Sequence, residues 1–557
     1  MSQIIVNDLT FSYDTAYDNI FENVSFMIDT DWKLGFIGRN GRGKTTFLNL
    51  LLGKYDYKGS ITASVEFDYF PFEVENEKIL TRDLIKNTIA PFSQWEEEME
   101  RCLKQTVEDT EKNHYKEYIS AENGDGESPL ERYGHLQELY QNHDGYIIDE
   151  LIEKELSKLD VNLSVLSRTF DTLSFGERTK IMLAGLFLKK NNFLLIDEPT
   201  NHLDMEGRNV LAQYLKDKNG FILVSHDRHF LDKAIDHVLS INRAKIEVQN
   251  GNYSTWKQNK DWQDKYALDK NEQLLKDIKV LGEAARRAKG WSDKVEASKI
   301  GQHVYDRGAV GHKAAKMMKR SKAIENRKLE AIEDKKGLLN DIELVDDLKM
   351  NILPFPNKRL IAVEDLCLFY GDREVASNIN FTLMSGERIA FAGSNGSGKS
   401  SLLKLLLGQN ISHTGKFHVA SGLKISYVSQ DTSFLSGSLE DFAAKYDLDE
   451  TIFKTLLRQL DFSRNQFEKE IQDFSGGQKK KVLLAKSLAE ASHVFIWDEP
   501  LNFIDVFSRI QIEELILRYG PTMIFVEHDR MFREKITTKL VDFNDQGVYN
   551  NYEVDKT

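Results

Sequence analysis

The sequence predicts an α/β chain: two P-loop nucleotide-binding domains joined by an antiparallel helical-hairpin linker. Three observations carry that prediction. Residues 38–45 read G-R-N-G-R-G-K-T, and residues 393–400 read G-S-N-G-S-G-K-S. A shared set of acidic, serine-glycine and histidine motifs follows each loop in the same order. Between the two sets lies a polar, basic stretch with helical periodicity.

Each glycine loop follows an apolar run (Leu34–Ile37; Ile389–Ala392) that reads as a strand, and each opens a leucine-rich segment that reads as a helix. That is the context a phosphate-binding loop requires. Glycines let successive backbone N–H groups point into one concavity, and the helix N-terminus adds positive potential. The candidate ATP contacts are Gly38, Asn40, Gly41, Gly43, Lys44, Thr45 and Thr46 in the first loop. In the second they are Gly393, Asn395, Gly396, Gly398, Lys399, Ser400 and Ser401. Lys44 and Lys399 would reach terminal phosphates, and Thr45 and Ser400 would offer oxygens to Mg²⁺.

Asp197-Glu198 ends the apolar run Phe193–Ile196, and Asp498-Glu499 ends Val494–Trp497. Ser174-Phe175-Gly176-Glu177 and Ser475-Gly476-Gly477-Gln478 each open a basic-then-apolar helix. Ser174 to Asp197 and Ser475 to Asp498 are both 23 residues, while His226 follows Glu198 by 28 and His528 follows Glu499 by 29. Matched spacing of this kind marks an internal repeat. A ligand-free glycine turn could imitate one loop; it does not reproduce the whole set twice.

Spacing also places an insertion. Lys44 to Ser174 is 130 residues against 76 for Lys399 to Ser475. The 54 extra residues are expected between about 91 and 140, a polar and acidic stretch. Residues 1–255 are therefore expected to form the first domain, 256–350 the linker and 351–557 the second domain. On the linker, Leu274, Ile278, Leu281, Ala285 and Ala288 recur at spacings of four and three, and Met317, Ile324, Ala331 and Leu338 every seven. Those are the seams of two packed helices. About thirty residues per helix would reach roughly 45 Å. Gly290, Gly301, Gly308 and Gly311 mark an expected break at the tip, about 290–313.

At 557 residues, 41% hydrophobic and 29% charged, the composition is ordinary globular. No run approaches the ~18–20 apolar residues of a membrane span. Met1-Ser2-Gln3 leads directly into strand-like Ile4-Ile5-Val6, without the charged-then-apolar pattern of a signal peptide. Cys102 and Cys367 are the only cysteines, too few for a disulfide framework. A cytoplasmic protein is expected. The net charge of −14 argues against a nucleic-acid partner until its distribution is considered. Between Arg286 and Lys328, thirteen Lys and Arg stand against four Asp and Glu, a local +9 that leaves −23 for the rest. A basic projection on an acidic body meets a polyanion through that projection. The plainer reading is a solvated helical surface. Near the tip, Trp291, His303 and Tyr305 interleave with Lys294, Lys299, Arg307 and Lys313, a mixture suited to structured RNA; Trp291 and Tyr305 could instead pack the end of the hairpin.

Taken together, glycine loop, signature serine, Asp-Glu pair and switch histidine resemble ABC-type ATPase domains. Two such domains joined by a charged helical linker resemble the ABC-F family across nearly the whole chain. The stretch from Trp32 to Thr45 further resembles the Lsa-type antibiotic-resistance branch. The resemblance implies two sites formed head to tail. One joins Lys44, Thr45, Asp197, Glu198 and His226 with Ser475, Gly476, Gly477 and Gln478. The other joins Lys399, Ser400, Gln430, Asp498, Glu499 and His528 with Ser174, Gly176 and Glu177. It implies Thr45, Asp197, Ser400, Gln430 and Asp498 around Mg²⁺, Glu198 and Glu499 activating water, and His226 and His528 on the γ-phosphate. Tyr13 and Tyr370 stand where the family stacks an aromatic on adenine; they could equally be ordinary strand tyrosines. Two departures are visible: Phe72 stands where the second domain has Gln430, and Phe175 where a glycine is usual. Each site then carries one defect, so slow and unequal hydrolysis is expected, unless both changes are tolerated. The implied partners are the ribosome, its large-subunit RNA and the peptidyl-tRNA, with no membrane and no permanent protein partner. The acidic insertion corresponds to the family's ribosome-touching arm, or is a surface decoration. The implied function is displacement of lincosamides, streptogramin A and pleuromutilins. A housekeeping translation factor, a transporter's energy-coupling subunit and a DNA-handling ATPase are the competing readings.

Overall fold

The computed structural model of the chain describes residues 2–13, 19–113, 129–201, 203–242, 245–297, 348–371, 373–394, 396–544 and 548–550, with single positions at 316, 319, 322, 323, 326 and 327. Two α/β halves carry the two motif sets. In the first, a six-stranded sheet runs Glu66–Phe70, Asn192–Asp197, Phe221–Val224, Lys33–Ile37, His237–Asn242, Lys245–Asn250. Every neighbouring pair is parallel except the last. The second half repeats this order with Ile425–Val428, Val494–Asp498, Met523–Val526, Arg388–Ala392, Lys539–Asp542 and Val548–Asn550. The central strands are apolar runs because helices cover both faces of a parallel sheet. Phe193 to Ile196 and Val494 to Trp497 are all essentially inaccessible to solvent. A three-stranded antiparallel sheet packs beside each core: Phe21–Asp29, Gln3–Phe11 and Lys58–Thr62 in the first half, and Arg373–Met384, Arg359–Tyr370 and Ser412–Val419 in the second.

This layering positions the chemistry. Both glycine loops, both Asp-Glu pairs and both histidines lie beyond the carboxyl ends of adjacent parallel strands, where open α/β sheets bind ligands. The insertion forms two helices, Phe92–Asn113 and Pro129–Asn142. They pair antiparallel through Glu98 with Arg132, the Tyr140 hydroxyl donating to Glu96 at 2.7 Å, and the Trp95 and His143 rings 5.2 Å apart.

A single helix of 45 residues, Tyr253–Ala297, runs out of the first half; residues Thr255–Val345 form a unit of their own. The expected break at Gly290 is corrected: the helix passes through it, so Trp291 and Lys294 stand on regular helix. One helical glycine costs only ~1 kcal/mol, and the flanking run Ala284 to Lys289 is made of strong helix formers and one charged turn. The reach is also longer than expected, about 68 Å at 1.5 Å per residue. Leu274 is buried, and Ile278 and Leu281 half-buried, while Leu275 and Val280 are exposed. The second seam (Met317, Ile324, Ala331, Leu338) and Lys299, His303, Tyr305, Arg307 and Lys313 lie outside the described residues.

Candidate active site

Local backbone geometry builds each loop. Gly43 and Gly398 sit at φ of +91° and +93°, immediately before helices Lys44–Leu51 and Lys399–Leu406. A Cβ at Gly43 would approach Ile20 Cγ2 to 2.5 Å, and one at Gly398 would approach Ala376 Cβ to 2.8 Å. Only glycine therefore lets the loop turn tightly enough for its N–H groups to converge. Lys44 Nζ donates to the Gly38 carbonyl at 2.6 Å and Arg39 at 3.1 Å; Lys399 Nζ donates to Gly393 at 2.9 Å and Ser394 at 2.7 Å. Burial pushes both ammonium groups below their ordinary range. Each lysine is thus threaded through its own loop, its charge held beneath the N–H concavity. Asn395 lies outside the described residues.

The hydroxyl after each lysine meets the aspartate that ends the neighbouring strand. Thr45 Oγ1 donates to Asp197 Oδ2 at 3.2 Å, and Ser400 bonds Asp498. Asp498 Oδ1 is buried without a hydrogen-bond partner among the described residues. Burial, then the charge of Glu499, pushes Asp498 up to about 6; burial also raises Asp197, against hydrogen bonds from Tyr69 and Thr45. Such a pairing of one hydroxyl and one desolvated carboxylate suits a hard cation that takes its remaining oxygens from phosphate.

Glu198 and Glu499 occupy the left-handed region, φ +49° and +46°, with their N–H groups tied to Val224 and Val526 at 2.9 and 3.0 Å. Backbone strain of this kind collects at functional sites. It aims each carboxylate at the following histidine: His226 Nε2 lies 3.4 Å from Glu198 Oε1, and His528 Nε2 lies 3.5 Å from Glu499 Oε1. Their environments differ. Burial, reinforced by Asp197, pushes Glu198 up to about 8. Burial works in the same direction on Glu499, but hydrogen bonding and charge from His528, with Asn502 and Lys480, outweigh it and hold Glu499 down at about 2. Burial lowers His226 well below the usual histidine range. Gln430 Nε2 donates to Glu499 Oε2 at 2.9 Å, and Asn502 Nδ2 to the same oxygen at 2.6 Å.

The two halves meet head to tail, and the two sites differ in openness. Around Lys44 the halves touch. Asn40 Nδ2 donates to the Phe503 carbonyl at 3.0 Å, beside Gly477, where an added Cβ would approach Asn40 Nδ2 to 3.3 Å. Arg39 and Arg42 each lie 3.9 Å from Asp461. The opposite site is a cavity of about 1130 Å³ between Lys399, Ser400, Ser401, Gln430, Glu499 and His528 on one wall and Ser174, Phe175, Gly176 and Glu177 on the other. Tyr370 lines this cavity. Tyr13 instead bonds the Thr46 hydroxyl at 2.8 Å, its ring 5.7 Å from Tyr55. Ser174 and Ser475 are N-caps of helices Phe175–Leu188 and Gly476–Ala489, in capping boxes with Glu177 and Gln478. Phe175 is 65% exposed and projects into the open cavity, whereas a Cβ at its counterpart Gly476 would sit 3.6 Å from the Phe503 ring.

Several residues here escaped the sequence reading. Asp505 pairs with Lys481 at 3.1 Å and its charge reaches Lys44 across the interface. Its spacing from Asp498 matches that of Asp204 from Asp197, a signal the repeat already carried. Arg39, Arg42 and Asp461 had no such signal, because the second loop has serines where the first has arginines.

The fold and the paired sites define a tandem nucleotide-binding ATPase, and comparison with known proteins agrees. The ABC transporter family profile matches residues 21–201 and 376–502. The ribosome protection protein VmlR of Bacillus subtilis is 32% identical over 68% of this chain and 70% of its own length. The energy-dependent translational throttle protein EttA of Escherichia coli K12 is 27% identical over 96% of this chain and 91% of its own. A solved structure titled "Model of ribosome-bound archaeal Pelota and ABCE1" shares the fold, with TM-score 0.55 and 16% identity over 96% of this chain and 76% of that one. The chain belongs to the ABC family. It is an ABC-F type ATPase, with two ATP-binding ABC domains and a long helix between them. Its relatives include ribosome-associated proteins. Among the described residues no helix is long and apolar enough to cross a membrane.

Proposed function

We propose that this ATPase binds the ribosome, docks its interdomain segment near the peptidyl-transferase centre and displaces lincosamides, streptogramin A and pleuromutilins, with hydrolysis driving release. The observation that carries the reading is the segregation of charge: the basic stretch Arg286–Lys328 stands on a chain otherwise strongly acidic. The likeness to a protein named for ribosome protection supports it. Thr45 with Asp197, and Ser400 with Asp498 and Gln430, would hold Mg²⁺, which when bound offsets the charge of the phosphates. Lys44 and Lys399 bind the terminal phosphates. Glu198 and Glu499 orient the attacking water and take its proton, while His226 and His528 hold the γ-phosphate side of the site. The signature loop of the opposite half closes over the nucleotide by its backbone N–H groups.

Salt-dependent co-sedimentation tests the partner. Replacing Lys299, Arg307 and Lys313 by alanine should weaken ribosome pelleting and flatten its salt dependence; pelleting unchanged across a salt series rejects the basic stretch as the contact. A second reading, a translation factor that gives no drug protection, is favoured by the fuller coverage of EttA. Inhibitory concentrations in a susceptible host separate the two, since only the first raises them.

The two sites should turn over at different rates. With Glu198→Gln the remaining activity reports on Glu499, whose amide partner Gln430 is in place; with Glu499→Gln it reports on Glu198, opposite Phe72. Single-turnover rates should differ several-fold, and Phe175→Gly should change the site containing Lys399, whose cavity it lines. Equal rates would reject the asymmetry.

A further inference from the structure

One buried cation in the second half does something its counterpart cannot. Lys480 lies in the signature helix Gly476–Ala489 and is 2% exposed. Its Nζ donates to the Ser429 carbonyl at 2.7 Å and the Asp498 carbonyl at 3.2 Å, with Gln430 O at 3.5 Å. Ser429 and Gln430 follow the edge strand Ile425–Val428, and Asp498 ends its neighbour Val494–Asp498. One ammonium therefore staples the chain leaving the edge strand to the strand that carries the catalytic carboxylates. Above the staple, the Gln430 amide holds Glu499.

The first half lacks this device. Strand register makes Asp68 equivalent to Ser426, since they pair with Leu194 and Phe495 respectively, so Phe72 falls opposite Gln430. Counting from the signature serines, Thr179 falls opposite Lys480. Thr179, Phe72, Asp197 and Glu198 border a cavity of about 520 Å³. The volume that Lys480 bridges in one half is left open in the other.

We propose that Lys480 is a positioning residue of the second ATP site, fixing the Ser429–Gln430 backbone so that the Gln430 amide holds Glu499 ready for the water. The inference rests on the reading of Glu499 as the water-activating group. It explains physically why the second site keeps an ordered carboxylate. Burial pushes the Lys480 ammonium down to about 8, against the pull of Asp498, Glu527, Glu499 and Asp431, so its donors are held where few solvent bonds compete.

The experiment uses the full chain carrying Glu198→Gln, so that turnover reports on the second site. Lys480→Met keeps length and removes the donors. It should lower kcat roughly ten-fold while leaving the KM for ATP within about two-fold, the pattern of a group that acts on the chemical step. Lys480→Arg, which retains donors and charge, should recover part of the loss. In a Gln430→Ala background, Lys480→Met should add little, because both substitutions break one linkage. An unchanged kcat, a loss carried mainly by KM, or losses that multiply fully in the Gln430→Ala background would each overturn the proposal, the last assigning Lys480 to the fold alone. If Lys480→Met does not fold, Lys480→Thr, the residue type present in the first half, is read by the same criteria. Failure of the underlying reading looks different: Glu499→Gln added to Glu198→Gln would then leave turnover intact.

Discussion

Replacing Glu198 and Glu499 together by glutamine should lower ATP turnover by ~100-fold or more while ATP binding persists, the scale of a lost general base. The change keeps the volume and one acceptor at each position, so the positive-φ turns, bonded through their backbones to Val224 and Val526, have no reason to relax. What disappears is the carboxylate beside each histidine. The lysines, held by the loop carbonyls, are untouched, so ATP binding should persist. The doubly substituted protein should accumulate with ATP bound in both sites and remain on ribosomes when ATP is present. Turnover equal to the parent, measured by phosphate release, would show that neither glutamate handles the water.

Glu513→Ala should cost about 3–5 kcal/mol, the penalty of leaving a buried charge without its partner. Glu513 is 1% exposed and lies on the helix Val506–Tyr519 of the second half. It bonds Arg228 of the first half through both carboxylate oxygens, and Lys535 at 3.1 Å; Asp529 lies 3.6 Å from the same guanidinium. Burial works against the Arg228 charge, but Asp529 and Glu513 overcome it and raise its affinity for the proton. Removing Glu513 takes both carboxylate bonds from the buried Arg228 and leaves it the more distant Asp529 at 3.6 Å, while Lys535 can turn to solvent. The pseudo-symmetric place holds nothing comparable: Arg530 pairs with Glu534 on its own helix, and Ala212 occupies the position of Glu513. The loss should therefore be read as easier separation of the halves in urea, with Lys535→Ala costing much less, since half of its side chain is exposed. A midpoint unchanged in Glu513→Ala would mean the network contributes nothing net.

What the sequence disclosed and what it withheld follow from the range of the forces involved. The loops and Asp-Glu pairs are local features: a glycine at positive φ and an apolar strand ending in a carboxylate can be read within ten residues. The match of Gln430 with Phe72 is also local, and the strand registers reproduce it. The helix continues through Gly290 because the preference of one residue is small against a long cooperative segment. The Arg228–Glu513 bond joins residues 285 apart, and Lys480 acts on a loop 51 residues before it. A lone Arg or Lys in a helix has no signature of burial. Nor does any motif announce that one site is touching and the other open, because that depends on Asn40, Arg39 and Asp461 meeting across two domains.

The first turn of the 45-residue helix is anchored in a telling place. The Ser254 backbone N–H donates to Asp232 Oδ1 at 2.7 Å, and the Ser254 hydroxyl bonds the same carboxylate. Asp232 belongs to the short helix Arg228–Ala234, capped at its start by Asp227, the residue after His226. Mechanically, a helix held at this turn is a lever whose near end is tied to the segment that follows His226. A tilt of about 5° at that end carries Ala297, roughly 68 Å along the axis, through about 6 Å, the length of one helical turn. A shift too small to notice at the first turn would become, at the far end, a stride.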